Sequence, residues 1–460
     1  MTMWAPDLTQ RTGPRYLAIA QAITEDTANG RLKPGSRLPT HRELADRLGV
    51  TVGTVTRAYA EAARRGLVTG EVGRGTFARR AAEAIVPLGE PEGALVDLSV
   101  NHPPATGEDA RMLQLTLAEL SGRADLARLL AYQPNAGSPS HRAAGAEWIA
   151  RAGIEARPEQ VLVCAGSQHA LVTLFSTLVT PGDVVLCESV TYPGMKSLAA
   201  LLKIRLQGLP MDEHGLRPDA LEAACRKGTP RALYCVPTLQ NPTATVMPED
   251  RRREIARIAR SHGIPIVEDD VHGFLPESRP RPLSVFAPES SFYVNSTSKS
   301  LAPGLRMAYL LSPPAHVARL ASAVGSTVWM VAPLMAEIVT IWIREGRADA
   351  VLAEKRREAA ARQALARRLL GGARIRSHAA GYHIWLGLPE PWRSDTFVAE
   401  ARRRGVAVTP AEAFAVDREA TPAAVRVCLG PARSHADLER GVSTLADILA
   451  GSPESGISIV

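Results

Sequence analysis

The spacing of apolar residues changes character along this chain of 460 residues. Over 16–29, apolar side chains fall at Tyr16, Ile19, Ala20 and Ile23, the i, i+3, i+4, i+7 pattern of an amphipathic helix. Gly30 closes it, and Pro34-Gly35 marks a turn. Thr40 then sits where an N-cap belongs, with Glu43 three residues on as its capping-box partner. The helix this opens, 41–48, stops at Gly49. Thr51 caps another over 52–65, stopped at Gly66. Two short strands follow, Leu67-Val68-Thr69 and Gly75-Thr76-Phe77, around a turn at 70–74. Helix, glycine turn, helix and hairpin predict a winged helix-turn-helix over 9–80. Leu44, Ala45, Leu48, Val55 and Tyr59 form its expected core, and Arg64 and Arg65 a solvated face.

Periodicity fades over 81–96, where Pro87, Gly89, Pro91 and Gly93 interrupt any helix, so this stretch reads as a connector. From residue 97 the pattern changes to short apolar runs between helical stretches. Val161-Leu-Val-Cys164, Val184-Val-Leu-Cys187, Ala232-Leu-Tyr-Cys-Val236, Ile264-Pro-Ile-Val267 and Phe292-Tyr-Val294 read as buried strands. Helical stretches such as 168–179 and 248–262 lie between them. That alternation predicts a multidomain α/β protein whose main sheet is largely parallel, with ligands at the strand ends. A smaller C-terminal α+β subdomain is expected over about 330–450, and a loose tail over 451–460.

Composition sharpens this outline. An apolar fraction of 45% supports a sizeable core, and the length suggests two or three domains. Cys164, Cys187, Cys225, Cys235 and Cys428 are scattered, without a C-x-x-C pair. This argues against a disulfide framework or a structural zinc and for a reducing cytoplasm. The longest apolar stretch, 329–343, contains Pro333 and Glu337 and is too short to span a bilayer. No signal-peptide pattern opens the chain. Charge is unevenly placed: residues 1–80 carry 13 Lys and Arg against 7 Asp and Glu, a net of +6, while the whole chain nets +7. A basic head of this kind suggests contact with nucleic acid.

Several residues suggest chemistry. Lys299 lies in Asn295-Ser-Thr-Ser-Lys-Ser-Leu-Ala-Pro-Gly-Leu-Arg306. Its amine can form an imine with an aldehyde cofactor, while Ser296, Ser298 and Arg306 can hold a phosphate. A solvated lysine in a Ser/Thr loop is the plainer alternative. Gly166-Ser167-Gln168 opens a helix after a strand and can take a phosphate on its amides, or be a simple cap. Tyr192 can stack on a flat ring, and Asn241 can donate to a phenolate; turn residues would look the same. In Glu268-Asp269-Asp270 a buried carboxylate can pair with a protonated pyridine nitrogen, or the run can be a solvated cap.

The head, in Gly35-Ser-Arg-Leu-Pro-Thr-His-Arg-Glu-Leu-Ala-Asp-Arg-Leu-Gly-Val-Thr51, Thr54-Val-Thr-Arg-Ala-Tyr59 and Gly73-Arg-Gly-Thr-Phe77, resembles the GntR-type winged helix. The resemblance implies DNA contacts from Arg42, Thr51, Thr54, Thr56, Arg57, Gly73 and Arg74. Val52 stands where that family often has arginine, and it can touch a thymine methyl. The larger part resembles fold-type I pyridoxal-phosphate enzymes of the aspartate aminotransferase class. The landmarks, in order, are Tyr132, Pro134, Gly137, Pro139 and Arg142; Gly166-Ser-Gln; Thr191-Tyr-Pro; Gln240-Asn-Pro-Thr243; Glu268-Asp-Asp270; Ser296-x-Ser-Lys299; Arg306; and Val425-Arg426-Val427. The implied cofactor is pyridoxal 5′-phosphate. By that resemblance Lys299 forms the internal aldimine and Asp269 pairs with the pyridine nitrogen. Asn241 bonds the 3′ oxygen, Tyr192 stacks on the ring, and Ser167, Gln168, Ser296, Ser298 and Arg306 surround the phosphate. Tyr132 reaches the phosphate of a partner subunit, and Arg426 holds an effector carboxylate. His272 replaces the usual tyrosine near the ring, and its proton count is expected to change near neutral pH. Ala244 replaces a glycine.

The two halves together resemble the MocR/GabR subfamily of GntR-type regulators. The resemblance implies a cytoplasmic bacterial homodimer, on the nucleoid when bound to double-stranded operator DNA, that senses an amino acid or amine through Lys299. A working aminotransferase with an appended winged helix, and a sensor of pyridoxal phosphate itself, stay open as alternatives. No metal and no membrane are expected.

Overall fold

A computed structural model describes residues 4–8, 13–28, 31–32, 36–64, 67–71, 75–78, 95–417 and 421–451. Gly30, Pro34-Gly35, Arg65, Gly66, Gly73, Arg74, residues 81–94 of the expected connector and residues 452–460 of the expected tail lie outside the described residues. The chain divides into two compact units, Met1–Leu88 and Gly89–Val460.

In the first unit three helices, α1 (Arg15–Ala28), α2 (His41–Leu48) and α3 (Val52–Arg64), precede two antiparallel wing strands, Val68–Glu71 and Gly75–Ala78. The capping box is formed: Thr40 Oγ1 accepts from Glu43 N–H at 3.3 Å, and Glu43 returns a carboxylate oxygen to Thr40 N–H at 2.8 Å. Gly49 ends α2 in the left-handed region at φ 62°, where a side chain would cost about 1 kcal/mol. Leu44, Ala45, Val55 and Tyr59 are buried as expected, with Ile19, Ile23 and Leu67 around them. The Tyr59 hydroxyl, buried with its ring, donates to Pro39 O at 2.8 Å. Leu38 N–H donates to Thr76 O and Ala78 N–H to Ser36 O, tying the wing to the segment before α2.

The second unit is built on a seven-stranded sheet. Its strands in chain order are β1 (Val161–Cys164), β2 (Val184–Glu188), β3 (Arg205–Leu209), β4 (Ala232–Cys235), β5 (Ile266–Asp269), β6 (Ser291–Ser296) and β7 (Ala308–Leu311). They lie side by side as β1-β7-β6-β5-β4-β2-β3. All pairings are parallel except those of β7, which runs against both neighbours. Helices cover both faces, so the inner strands are buried apart from Val184 at the start of β2, and each fully buried aliphatic contributes roughly 1.5–3 kcal/mol. The expected strand at 264–267 instead starts at Ile266, because Pro265 has no N–H for the ladder. No helix among the described residues is long and apolar enough to cross a membrane. The apolar stretch 329–343 supplies the helix Pro333–Arg344, whose Ile338, Val339 and Trp342 are core.

The C-terminal portion carries a 23-residue helix, Arg347–Leu369, and a four-stranded antiparallel sheet. That sheet is ordered Arg374–Ser377, His383–Gly387, Ala424–Cys428, Thr409–Pro410. The start of the second unit joins this portion. Val96–Asp97 pairs in parallel with Val406–Ala407, and Cys428 N–H donates to Leu98 O at 2.8 Å. This pairing delivers residues 99–101 to the site described next.

Candidate cofactor pocket and nucleic-acid interface

The three carboxylates at the end of β5 have three different fates. Strand alternation sends Glu268 and Asp269 to opposite faces of the sheet. Glu268 accepts from Leu283 N–H at 2.9 Å and from Ser284 N–H and Oγ at 2.7 and 2.6 Å. The buried Arg252 lies 3.8 Å away from it. Asp270 takes Arg279 and the Tyr293 hydroxyl, each at 2.5 Å. Both residues brace the fold. Asp269 accepts from the Tyr234 hydroxyl at 2.7 Å, and its Oδ1, like that of Asp270, is buried without a side-chain partner. Burial raises its carboxyl to about 7. Buried Glu188, at the end of β2, is likewise raised by burial to about 7.

Lys299 lies on the short turn after β6. Its Nζ donates to the Asn101 carbonyl, and its own carbonyl accepts from the Tyr382 hydroxyl at 2.9 Å. Burial lowers the Lys299 ammonium from 10.5 to about 8; the Cys428 thiol opposes this, and Arg426 and Arg306 add to it. An amine in that range is partly neutral and nucleophilic near physiological pH.

An anion cradle lies beside it. The helix Ser167–Leu178, α4, starts after Gly166, whose φ is 85°. A Cβ on Gly166 would lie 2.9 Å from Arg306 Cζ, so only glycine lets the guanidinium approach the start of α4. Gln168 Nε2 donates to Gly194 O at 3.1 Å, and its Oε1 is buried without a partner. Ser296 Oγ caps Ser298 N–H at 3.1 Å and lies 3.0 Å from Ser298 Oγ and 3.1 Å from Met307 O. Much of the Ser296 hydroxyl's capacity is therefore spent on the turn that holds Lys299. Tyr192 is raised by burial and by Asp269, while Arg306 and Arg426 pull it down; its phenol thus faces both the carboxylate and the cationic end of the pocket.

Arg426, on the strand Ala424–Cys428, closes the other side. It donates to Asn241 Oδ1 at 2.8 Å and to Ser99 O at 2.6 Å, and lies 4.7 Å from the Phe414 ring centroid. Its Nε is buried without a partner. With Oδ1 engaged, the Asn241 amide nitrogen is the group that can donate. His272 is buried rather than on the surface, 1% exposed. Its Nε2 meets Asn101 Nδ2 at 3.3 Å, and its Nδ1 is unpartnered. Burial, then His383, Lys299 and Arg426, pushes its imidazole well below the ordinary 6.5. The expected change of proton count near neutral pH therefore does not occur: His272 stays neutral there.

Tyr132 stands apart from this cluster, 82% exposed, its ring edge-on to Trp329. In the head, Arg42 and Arg57 are exposed. The hydroxyls of Thr51 and Thr54 bond each other at 2.9 Å, and Thr56 O–H donates to Val52 O at 3.0 Å.

The pocket's own atoms fit the pyridoxal 5′-phosphate that the resemblance implies. The bare Asp269 oxygen suits a protonated ring nitrogen, the cradle at α4 suits a phosphate, and Lys299 supplies an amine of suitable basicity. Bound there, the cofactor supplies an aldehyde that condenses with amines. Ser99, Asn101, Tyr234, His383 and Cys428 also border or brace this site and were not anticipated. Only Tyr234 left a trace: a tyrosine inside a buried apolar run needs a polar partner for its hydroxyl, and the acidic run offered one.

Comparison with known proteins agrees with this geometry. Residues 94–445 match the family of aminotransferases class I and II, and residues 15–78 match the bacterial regulatory proteins of the gntR family. The chain is 30% identical over 448 residues to the uncharacterized HTH-type transcriptional regulator YdeF of Bacillus subtilis, covering 97% of this chain and 96% of that protein. It is 28% identical over 436 residues to the HTH-type transcriptional regulator TauR of Rhodobacter capsulatus, covering 86% and 88%. Among solved structures, it is similar to the α-aminoadipate aminotransferase LysN of Thermus thermophilus in complex with N-(5′-phosphopyridoxyl)-L-leucine. That match has a TM-score of 0.68 and 27% identity, and covers 78% of this chain and 92% of that one.

Proposed function

Because the chain belongs to the aminotransferase class I and II family and is a gntR-type transcription regulator with a pyridoxal-phosphate-binding domain, we propose that it is a homodimer whose pocket senses an amino acid or amine through Lys299 and so alters how the heads hold operator DNA. The observation that carries this reading is the convergence of Lys299, an amine lowered to about 8, with the buried, partly unpartnered guanidinium of Arg426. Lys299 marks where an incoming amine competes, and Arg426 can grip its carboxylate in bidentate fashion. Tyr132, exposed on its own subunit, is the residue for the partner's phosphate site. DNA-bound, the protein would reside on the nucleoid.

The same two cations suggest how the pocket signals. Lys299 donates to Asn101 O and Arg426 to Ser99 O. Both carbonyls lie on the segment that leads back to the connector and the head. A ligand that takes Lys299 and Arg426 for itself removes both restraints on residues 99–101 at once. A two-state element biased in this way is what coupling between distant sites requires. Candidate amino acids and amines, titrated into the cofactor-loaded protein, should change the cofactor's absorbance and raise hydrogen exchange at residues 98–102 together. A spectral change with unchanged exchange would refute the relay, and no spectral change with any of them would refute the sensor.

One observation supports a second reading, a working transaminase. The 2-aminoadipate transaminase of Thermus thermophilus is 32% identical to the chain over 300 residues, which cover 62% of the chain and 73% of that protein. Multiple-turnover assays with amino donors and a keto acid acceptor decide between them. Sustained turnover favours the enzyme; at most one equivalent of product favours the sensor.

A further inference from the structure

The exposed face of α3 offers few groups that can read a base by hydrogen bonding. Val52, Gly53, Thr56, Arg57 and Ala60 are exposed, and at 100° per residue they share one side of the helix. Val52 leaves 43% of its surface open at the first helical position. Nothing in the fold requires glycine at position 53. A Cβ there would meet only Thr51 Oγ1, at 3.8 Å, an ordinary contact, and the backbone is outside the left-handed region. Glycine nevertheless weakens a helix relative to alanine.

The neighbouring hydroxyls bond within the protein, and of the Thr51–Thr54 pair one hydroxyl hydrogen is left over. Thr56 O–H donates to Val52 O, and Thr51 Oγ1 accepts from Thr54 N–H at 3.2 Å while sharing a hydrogen with Thr54 Oγ1. Thr56, its hydroxyl hydrogen spent, offers its methyl and an acceptor oxygen to an outside contact. The face presents methyl groups and a bare patch of backbone, bordered by Arg57. Its partner is a polyanion, since residues 1–80 net +6 of the chain's +7. The residues at the start of a recognition helix are those that meet base edges. In the major groove the apolar group on a base edge is the 5-methyl of thymine.

We propose that Val52 and Gly53, with the Thr56 methyl beside them, read a thymine 5-methyl group in each operator half-site. Gly53 lets the helix backbone come close enough for the contact, and Arg57 at the margin takes a backbone phosphate. This rests on the regulator reading above. The test uses the full-length, cofactor-loaded protein. A preferred duplex is first selected from a random pool, and each thymine in it is then replaced singly by deoxyuridine, which deletes only the methyl. At one thymine per half-site, binding should fall about fourfold, the worth of one buried methyl. Val52→Ser should bring that thymine-to-uracil ratio close to one. Gly53→Ala should raise the thermal midpoint of the head yet weaken binding to the selected duplex, opposite signs that a purely structural glycine would not produce. A protein that selects a sequence but is indifferent to every such replacement overturns the methyl reading and leaves the regulator reading standing. A protein that selects no sequence overturns the regulator reading itself.

Discussion

The head and the pocket treat their polar groups in opposite ways. In the head, hydroxyls and carboxylates are largely spent on local bonds: Thr40 with Glu43, Thr51 with Thr54, Thr56 with Val52, Tyr59 with Pro39. In the pocket, Asp269 Oδ1, Gln168 Oε1, His272 Nδ1, His383 Nδ1 and Arg426 Nε are buried with no partner. Each unmet buried group costs about 1–3 kcal/mol. A fold tolerates such a cluster where a ligand's own atoms complete it. Among the described residues of the head no buried polar atom is left unmet in this way; a large charged surface adds its contacts from outside.

Removing Lys299 should break this contrast most completely. Lys299→Ala should abolish the absorbance of the lysine-linked cofactor while far-ultraviolet circular dichroism and binding of the head to DNA in the absence of any ligand persist. A retained band would show that another amine holds the cofactor.

Two adjacent carboxylates sharpen the contrast on a smaller scale. Asp270 is tied to Arg279 and Tyr293, and Asp270→Asn strands a buried arginine. It should lower stability by about 3–5 kcal/mol, read from denaturant midpoints. Asp269→Asn keeps the Tyr234 contact but cannot balance a ring charge. Its main effect should be a roughly 10- to 100-fold weaker hold on the cofactor, the worth of a charged hydrogen bond, read by equilibrium dialysis. The same residue predicts a pH signature. Its carboxyl rises from 3.8 to about 7 on folding, so its contribution is fully present at acid pH and is lost as pH climbs through 7. The loss amounts to about 4 kcal/mol. Buried His272 and His383, lowered on folding, act with the opposite sign below pH 6.5, so the Asp269 contribution is read as a difference: between about pH 4 and 7 the urea midpoint of cofactor-free Asp269→Asn should gain on that of the parent by this amount. Equal slopes would place the burden on Glu188 instead.

The contrast also explains what the sequence made legible. The head could be read nearly residue by residue because its rules are local: a cap three residues from its partner, a glycine at a turn. The Lys299 stretch and the acidic run were equally visible, because the motif and its chemistry sit in one segment. Asn101, His383 and Cys428 were not. Asn101 arrives through the pairing of Val96–Asp97 with Val406–Ala407, and His383 and Cys428 through the pairing of their own two strands, long-range contacts that periodicity does not encode. Strand β3 was missed because, at the sheet edge, it carries Arg205, Gln207 and Gly208 instead of an apolar run. Strand β7 went unnoticed just after the Lys299 loop. Which of the three carboxylates goes without a guanidinium beside it was decided by Arg252 and Arg279, neither of which the run itself announces.

In the head the expected effect is smaller, as befits a surface contact. Arg42 is exposed on α2. If it neutralises one phosphate, Arg42→Ala should reduce the log–log salt slope of DNA binding by about one unit. Fluorescence anisotropy over a range of salt concentrations checks this. An unchanged slope would move Arg42 from the backbone to a base edge.

The smallest effect is expected at Ala244, where the pocket's wall behaves like the head. The turn around it is satisfied by its own bonds: Ala244 N–H to Gln240 O at 2.7 Å, Gln240 N–H to Thr245 O at 2.9 Å, and Thr243 N–H to Gln240 Oε1 at 2.9 Å. Ala244 holds φ 59°, which costs an L-residue about 1–2 kcal/mol. Glycine would remove that strain. It would also restore about 0.4–1 kcal/mol of unfolded-chain entropy and forfeit a buried methyl worth about 0.8 kcal/mol. These terms nearly cancel, so Ala244→Gly should stay within about 1 kcal/mol of the parent, with the cofactor spectrum unchanged. The near-balance accounts for an alanine where the resemblance expects glycine. A loss above about 2 kcal/mol would mean that the methyl, 5% exposed, is gripped by the pocket wall more tightly than transfer from water implies, and that this turn takes part in the pocket rather than merely bordering it.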